Sequence, residues 1–139
     1  MGAETSEEIR KSEHDHREYR FLKLANQMKV LLVSDKDTNK SAATLYVRSG
    51  SLNDPEDVNG IAHFCEHMVF MGSENYKEPG AFQRFVTSEG GTYNAATGED
   101  FTFFFFDIQN KSLDKGLSIF SDFFKNPIFS EEATETEIN

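Results

Sequence analysis

The residues of this chain whose types and spacing suit chemistry lie in one pentad, His63-Phe64-Cys65-Glu66-His67. On a helix, side chains three and four positions apart share a face. His63 and His67 then point the same way, one turn apart, with Glu66 on nearly the same face. Two neutral imidazoles at that separation can hold one Zn²⁺ at about 2.0–2.1 Å each. A carboxylate beside them can take a proton from metal-bound water. The bland alternative is a polar helix face carrying ordinary histidines. With four His and fifteen Glu in 139 residues, a chance H-x-x-E-H is roughly a one-in-a-hundred event, so the flanking sequence has to decide.

H-x-x-E-H is the inverted form of the H-E-x-x-H zinc-protease motif. Gly60 to Met71 reads as the helix that carries it, with Asn59 as the N-cap and Gly72 closing it. Ile61, Phe64, Cys65, Met68, Val69 and Met71 run almost all round, which predicts a largely buried helix. Buried His and Glu need partners, and a metal supplies them.

Upstream, Tyr19 to Ala25 and Met28 to Ser34 read as a hairpin, and Ala42 to Arg48 as a third strand of the same sheet. The Val30-Leu31-Leu32-Val33 run suggests a central strand. Gly50 to Asn59 is a loop. Downstream, Pro79 to Glu89 is a short helix with Phe82, Phe85 and Val86 inward. Residues 91–108 form a second hairpin, whose Phe101 to Ile108 strand is expected to be buried on both faces. That Phe run is core rather than a cofactor site. Ser112 to Lys125 is a helix capped by Ser112, and Ser130 caps another over 130–139. The order β-β-β-α-α-β-β-α-α indicates an α+β domain with helices packed on a mixed or antiparallel sheet.

A chain of 139 residues suits one domain. Residues 1–18 read as a polar, disordered tail and 19–139 as the domain. His14-Asp15-His16 in that tail could bind metal weakly, but a solvated tail is the simpler reading. The net charge of −10 argues against nucleic acid and against an anionic membrane as partners. No secretory or transmembrane segment is visible, and Cys65 is the single cysteine. A cytoplasmic location is the expectation.

From about Tyr19 onward the chain resembles the insulysin/pitrilysin (inverzincin) zinc metallopeptidase family. The resemblance rests on pieces in register. They are Gly50-Ser51-Leu52 with Asp54-Pro55, then Gly60-Ile61-Ala62-His63-Phe64-Cys65-Glu66-His67-Met68 with Phe70 and Gly72. After these come Asn94-Ala95, Thr97-Gly98-Glu99, Phe105 with Asp107, and Pro127-Ile128-Phe129. It implies a zinc metalloendopeptidase acting on small polypeptides. His63 and His67 are then ligands of one Zn²⁺ per chain, and Glu66 is the general base on the zinc-bound water. Asn94, Ala95 and Ala96 match the edge strand that pairs with the peptide, and Phe70 matches an aromatic near the cleavage pocket. Glu137 matches a glutamate that orients the site.

The family's third ligand is a glutamate roughly 77 residues beyond the second histidine, about five residues past Asn139. The family's enzymes are also several times longer, and their remaining domains are implied partners. The alternative expectation is therefore a catalytically inactive fragment, or a non-catalytic domain that binds peptides or a partner chain.

Overall fold

The computed structural model describes residues 9–138, with side chains through Glu135. The chain divides after Thr38 into two compact units.

In the first unit, β1 (Glu18–Lys23) pairs antiparallel with β2 (Lys29–Ser34), Phe21 opposite Leu31. Just before β1, Asp15 accepts from the Arg17 guanidinium at 2.8 Å and from the Tyr19 hydroxyl at 2.7 Å. The expected hairpin is present. The expected three-stranded sheet is not, and β2 is not a central strand. Among the described residues it pairs with β1 alone, and Leu31 is 56% exposed. The Val30–Val33 run lacks the alternation that would assign one face to a core, so it does not specify a second neighbour.

In the second unit, β3 (Lys40–Val47), β4 (Thr92–Thr97) and β5 (Thr102–Gln109) form an antiparallel sheet in the order β3-β5-β4. Four helices follow the expected order: α1 (Ile61–Val69), α2 (Ala81–Ser88), α3 (Leu113–Lys125) and α4 (Glu131–Ile138). The class is α+β, as the element order predicts. Alternation on β3 explains its choice of partner. Ala43 lies opposite Phe106 and Leu45 opposite Phe104, so its inward residues extend the buried face of β5. On that face Phe104, Phe106 and Ile108 pack with Val69 of α1, Phe82 and Val86 of α2, and Ile119, Phe120 and Phe123 of α3.

The other face of β5 departs from expectation. Phe103 and Phe105 are only half-buried. Phe101, Phe103 and Phe105 stack in a ladder with centroids 6.0 and 5.9 Å apart, and Tyr46 adds to it at 5.5 Å. The three helices that pack on the core, α1, α2 and α3, lie on one side of the sheet, so alternate residues of the strand fall on the open side. Ser112 also departs from its expected role. Its hydroxyl donates to Glu89 at 2.8 Å rather than capping α3. Ser130 does cap α4, accepting from the Ala133 N–H at 3.2 Å.

Asp107, at the far end of the open face, accepts from the Lys40 ammonium at 2.7 Å and from the Thr92 hydroxyl at 2.5 Å. These bonds tie the three strands together, and they hold the carboxyl below its ordinary value, Lys40 contributing most. A depressed carboxylate stabilises the fold above its ordinary value of about 3.9, and the contribution is lost as pH falls through the depressed value. Asp107→Asn should therefore lower stability at neutral pH by up to about 1 kcal/mol. The difference from the parent should shrink below about pH 4. Urea unfolding at a series of pH values measures both.

Candidate metal centre

α1 is held at its start by a residue well before it. Asp54 accepts from the Gly60 N–H at 2.7 Å and from the Ala62 N–H at 2.9 Å, one through each carboxylate oxygen. Two of the unpaired donors at the helix N-terminus are thereby satisfied, and the negative charge suits the helix dipole. The expected cap, Asn59, does not serve. Gly60 occupies the N-cap position with φ 89°, a left-handed conformation that glycine adopts without a Cβ penalty.

The loop carrying Asp54 is itself fixed to the β4–β5 turn. The Ser51 N–H donates to the Gly98 carbonyl at 3.0 Å and the Leu52 N–H to the Glu99 carbonyl at 2.8 Å. The approach is close: a Cβ on Gly50 would lie 2.3 Å from the Gly98 carbonyl oxygen. Glycine is the residue this contact accepts.

α1 is shorter and less buried than expected. It ends at Val69, with Phe70 as its C-cap. Glu66, Met68 and Val69 are buried, whereas His63, Cys65 and His67 are exposed. The helix lies on the sheet by one side, so its other side faces outward despite its apolar residues. Burial therefore demands a partner for Glu66, 8% exposed, and makes no such demand of the histidines.

The helical spacing does bring the pentad together. His63 Nε2 and His67 Nε2 are 3.1 Å apart, with the rings edge to face at 4.6 Å between centroids. The donor atoms of His63, Glu66 and His67 all lie within 4.8 Å of one another. Two nitrogens on one tetrahedral zinc stand roughly 3.3–3.4 Å apart, so the donor set fits that ion. Among the described residues no other grouping of three His, Cys, Asp or Glu side chains comes together in this way. His14 and His16 take no part in it.

A model of the family described as Insulinase (Peptidase family M16) matches residues 29–139. The chain belongs to that family. It is 44% identical over 131 residues to "Insulin-degrading enzyme" of Homo sapiens, covering 94% of this chain and 13% of that protein. It is 40% identical over 129 residues to "A-factor-processing enzyme" of Saccharomyces cerevisiae, covering 93% and 13%. Its fold superposes on the crystal structure of pitrilysin with a TM-score of 0.94 at 37% identity, covering 99% of this chain and 15% of that one. The chain thus spans about one eighth of the curated relatives' length, 13% of each of these two.

Other residues implied by the insulinase resemblance lie as follows. Asn94, Ala95 and Ala96 sit on β4, a sheet edge whose one ladder partner among the described residues is β5. Asn94 and Ala96 are exposed and Ala95 is half-buried. Phe70 sits in an aromatic cluster with Phe82, Tyr93, Phe104 and Phe123, centroids 5.6 to 6.1 Å away. α4, which includes Glu137, packs against α1. The Glu137 side chain lies outside the described residues.

Sequence reasoning missed two roles near this insulinase pentad. Asp54 was visible only as part of a motif, and its two bonds to α1 span six and eight residues. Thr97 was likewise quoted without a role, yet its hydroxyl donates to Glu66 Oε2. The available signal for Asp54 is an acidic residue in a Pro- and Asp-rich loop just ahead of a helix. Asp54→Ala should cost about 1 kcal/mol in urea unfolding. It should also speed hydrogen exchange at the Gly60 and Ala62 amides.

Proposed function

We propose that this chain carries the zinc-binding and proton-transferring part of a metalloendopeptidase that cleaves small polypeptides. One observation carries the reading: His63, Glu66 and His67 converge within 4.8 Å on one helix in a chain of a peptidase family. His63 and His67 would hold one zinc ion through their Nε2 atoms. When bound, zinc supplies Lewis-acid chemistry, making a water acidic near neutral pH and polarising a carbonyl.

Glu66 is the general base. Its Oε2 is engaged by Thr97, which leaves Oε1 for the proton of the attacking water. The water oxygen adds to the peptide carbonyl carbon as Glu66 takes that proton. The C–N bond then breaks, and Glu66 returns the proton to the departing amine nitrogen.

The open edge of β4 is suited to hold the substrate. An extended peptide laid beside Asn94, Ala95 and Ala96 gains backbone hydrogen bonds as an added strand. Phe70 lends its ring to the wall beneath that strand, and Glu137 on α4 orients the site from the adjoining helix. A further carboxylate ligand, and domains that enclose the peptide, belong to the rest of a longer protein of this family. No helix among the described residues is long and apolar enough to cross a membrane. A lone thiol at Cys65 suits a reducing compartment such as the cytoplasm.

Zinc titration tests the reading. One zinc per chain is expected, with affinity reduced at least tenfold in His63→Ala, on the scale of removing a group that supports a metal site. Glu66→Gln should keep zinc binding and lose cleavage of a short internally quenched peptide. Zinc binding unchanged by His63→Ala would overturn the assignment. Tight binding without any cleavage would favour a peptide-binding domain that does no chemistry.

A further inference from the structure

Glu66 stands one position before His67, and its carboxylate is buried while its helix neighbours are exposed. A buried carboxylate needs a donor, and one comes from across the fold. The Thr97 hydroxyl, at the end of β4, donates to Glu66 Oε2. Thr102, its partner across the β4–β5 ladder, lies alongside with the two hydroxyl oxygens 3.5 Å apart. The Thr102 hydroxyl donates to the Ser49 carbonyl at 2.8 Å, so that its own proton is engaged there.

Resting on the peptidase reading above, we propose that Thr97 is the positioning residue of Glu66, fixing which carboxylate oxygen takes the proton. Three features single it out. First, threonine is branched at Cβ, so its χ1 is stiff and its hydroxyl direction is set by the strand backbone. Second, that backbone is locked: the Gly98 N–H donates to the Phe101 carbonyl at 2.8 Å, closing the β4–β5 turn.

Third, the circuit closes on itself. The turn holds residues 51 and 52 through the Gly98 and Glu99 carbonyls, and Asp54, two residues on, holds the start of α1. Glu66 is therefore gripped from both sides, its helix by Asp54 and its head group by Thr97, and both grips trace back to one turn.

Thr97→Val keeps the branched shape and removes the donor. Thr97→Ser keeps the donor and removes the branch. Three readouts separate positioning from a merely structural role: zinc affinity, kcat against KM on the quenched peptide, and the ¹³Cδ resonance of labelled Glu66 in metal-free protein. Groups that orient a metal site are worth about 10- to 100-fold. Thr97→Val should lose that much in kcat, with KM and zinc affinity within about twofold, and should shift the Glu66 resonance. Thr97→Ser should retain most of the turnover and leave the resonance near its parent position. If Thr97→Val does not fold, Thr97→Ala carries the same comparison.

An unshifted Glu66 resonance in the donor-less variant would overturn the proposal, as would a Thr97→Ser loss equal to that of Thr97→Val. Failure of the peptidase reading looks different. There the zinc-loaded parent does not cleave, or Glu66→Gln cleaves as well as the parent, while the Glu66 resonance still decides the role of Thr97.

Discussion

Removing a carboxylate from water costs more than nearby packing returns, unless a hydrogen-bond donor meets it. Glu66 is that carboxylate. The same helix must keep His63 and His67 turned outward, so Glu66 cannot escape to solvent by rotating α1 without carrying the histidines with it. Its donor has to come from another element, and Thr97 on β4 supplies it. Much of the second unit follows from meeting this one need. The hairpin brings Thr97 into place, the loop at 50–54 clamps onto the turn of that hairpin, and Asp54 fixes the start of the helix.

The sheet serves this arrangement through its two unlike faces. One face gathers Phe104, Phe106 and Ile108 against three helices and provides the rigid floor on which α1 lies. The other shows a ladder of half-buried rings, with Tyr46 56% exposed beside it. β5 is central and has neighbours on both sides, whereas β4 is an edge. The strand proposed to receive a peptide is thus the same one that holds the Glu66 head group.

Local signals were legible in the sequence, and distant ones were not. Helical spacing alone brings His63 and His67 together, and alternation and turn residues outline both hairpins and every helix. Ser130 caps α4 as its position before an acidic turn suggests. The errors arose where a residue had more than one possible partner. Ser112 sits at a helix start but bonds Glu89, and Asn59 sits ahead of α1 while Asp54 caps it. The Val30–Val33 run carries no alternation to say which strand it should join. Phe101 to Ile108 is apolar throughout, and composition does not reveal that helices cover one face only. Thr97 was unreadable for a related reason: the bond it makes crosses 31 residues, and no short pattern encodes it.

The circuit around Glu66 has a kinetic side. The two histidines lie four residues apart and meet whenever α1 winds, a fast local event. The carboxylate is seated only after loops of 31, 47 and 53 residues have closed, and such closures are slow and costly in chain entropy. By this physical argument a chain partway through folding brings the two histidines together before Glu66 meets Thr97. In the function proposed above, holding the ion and aligning the base are thus separate stages of folding, and the second waits on the sheet.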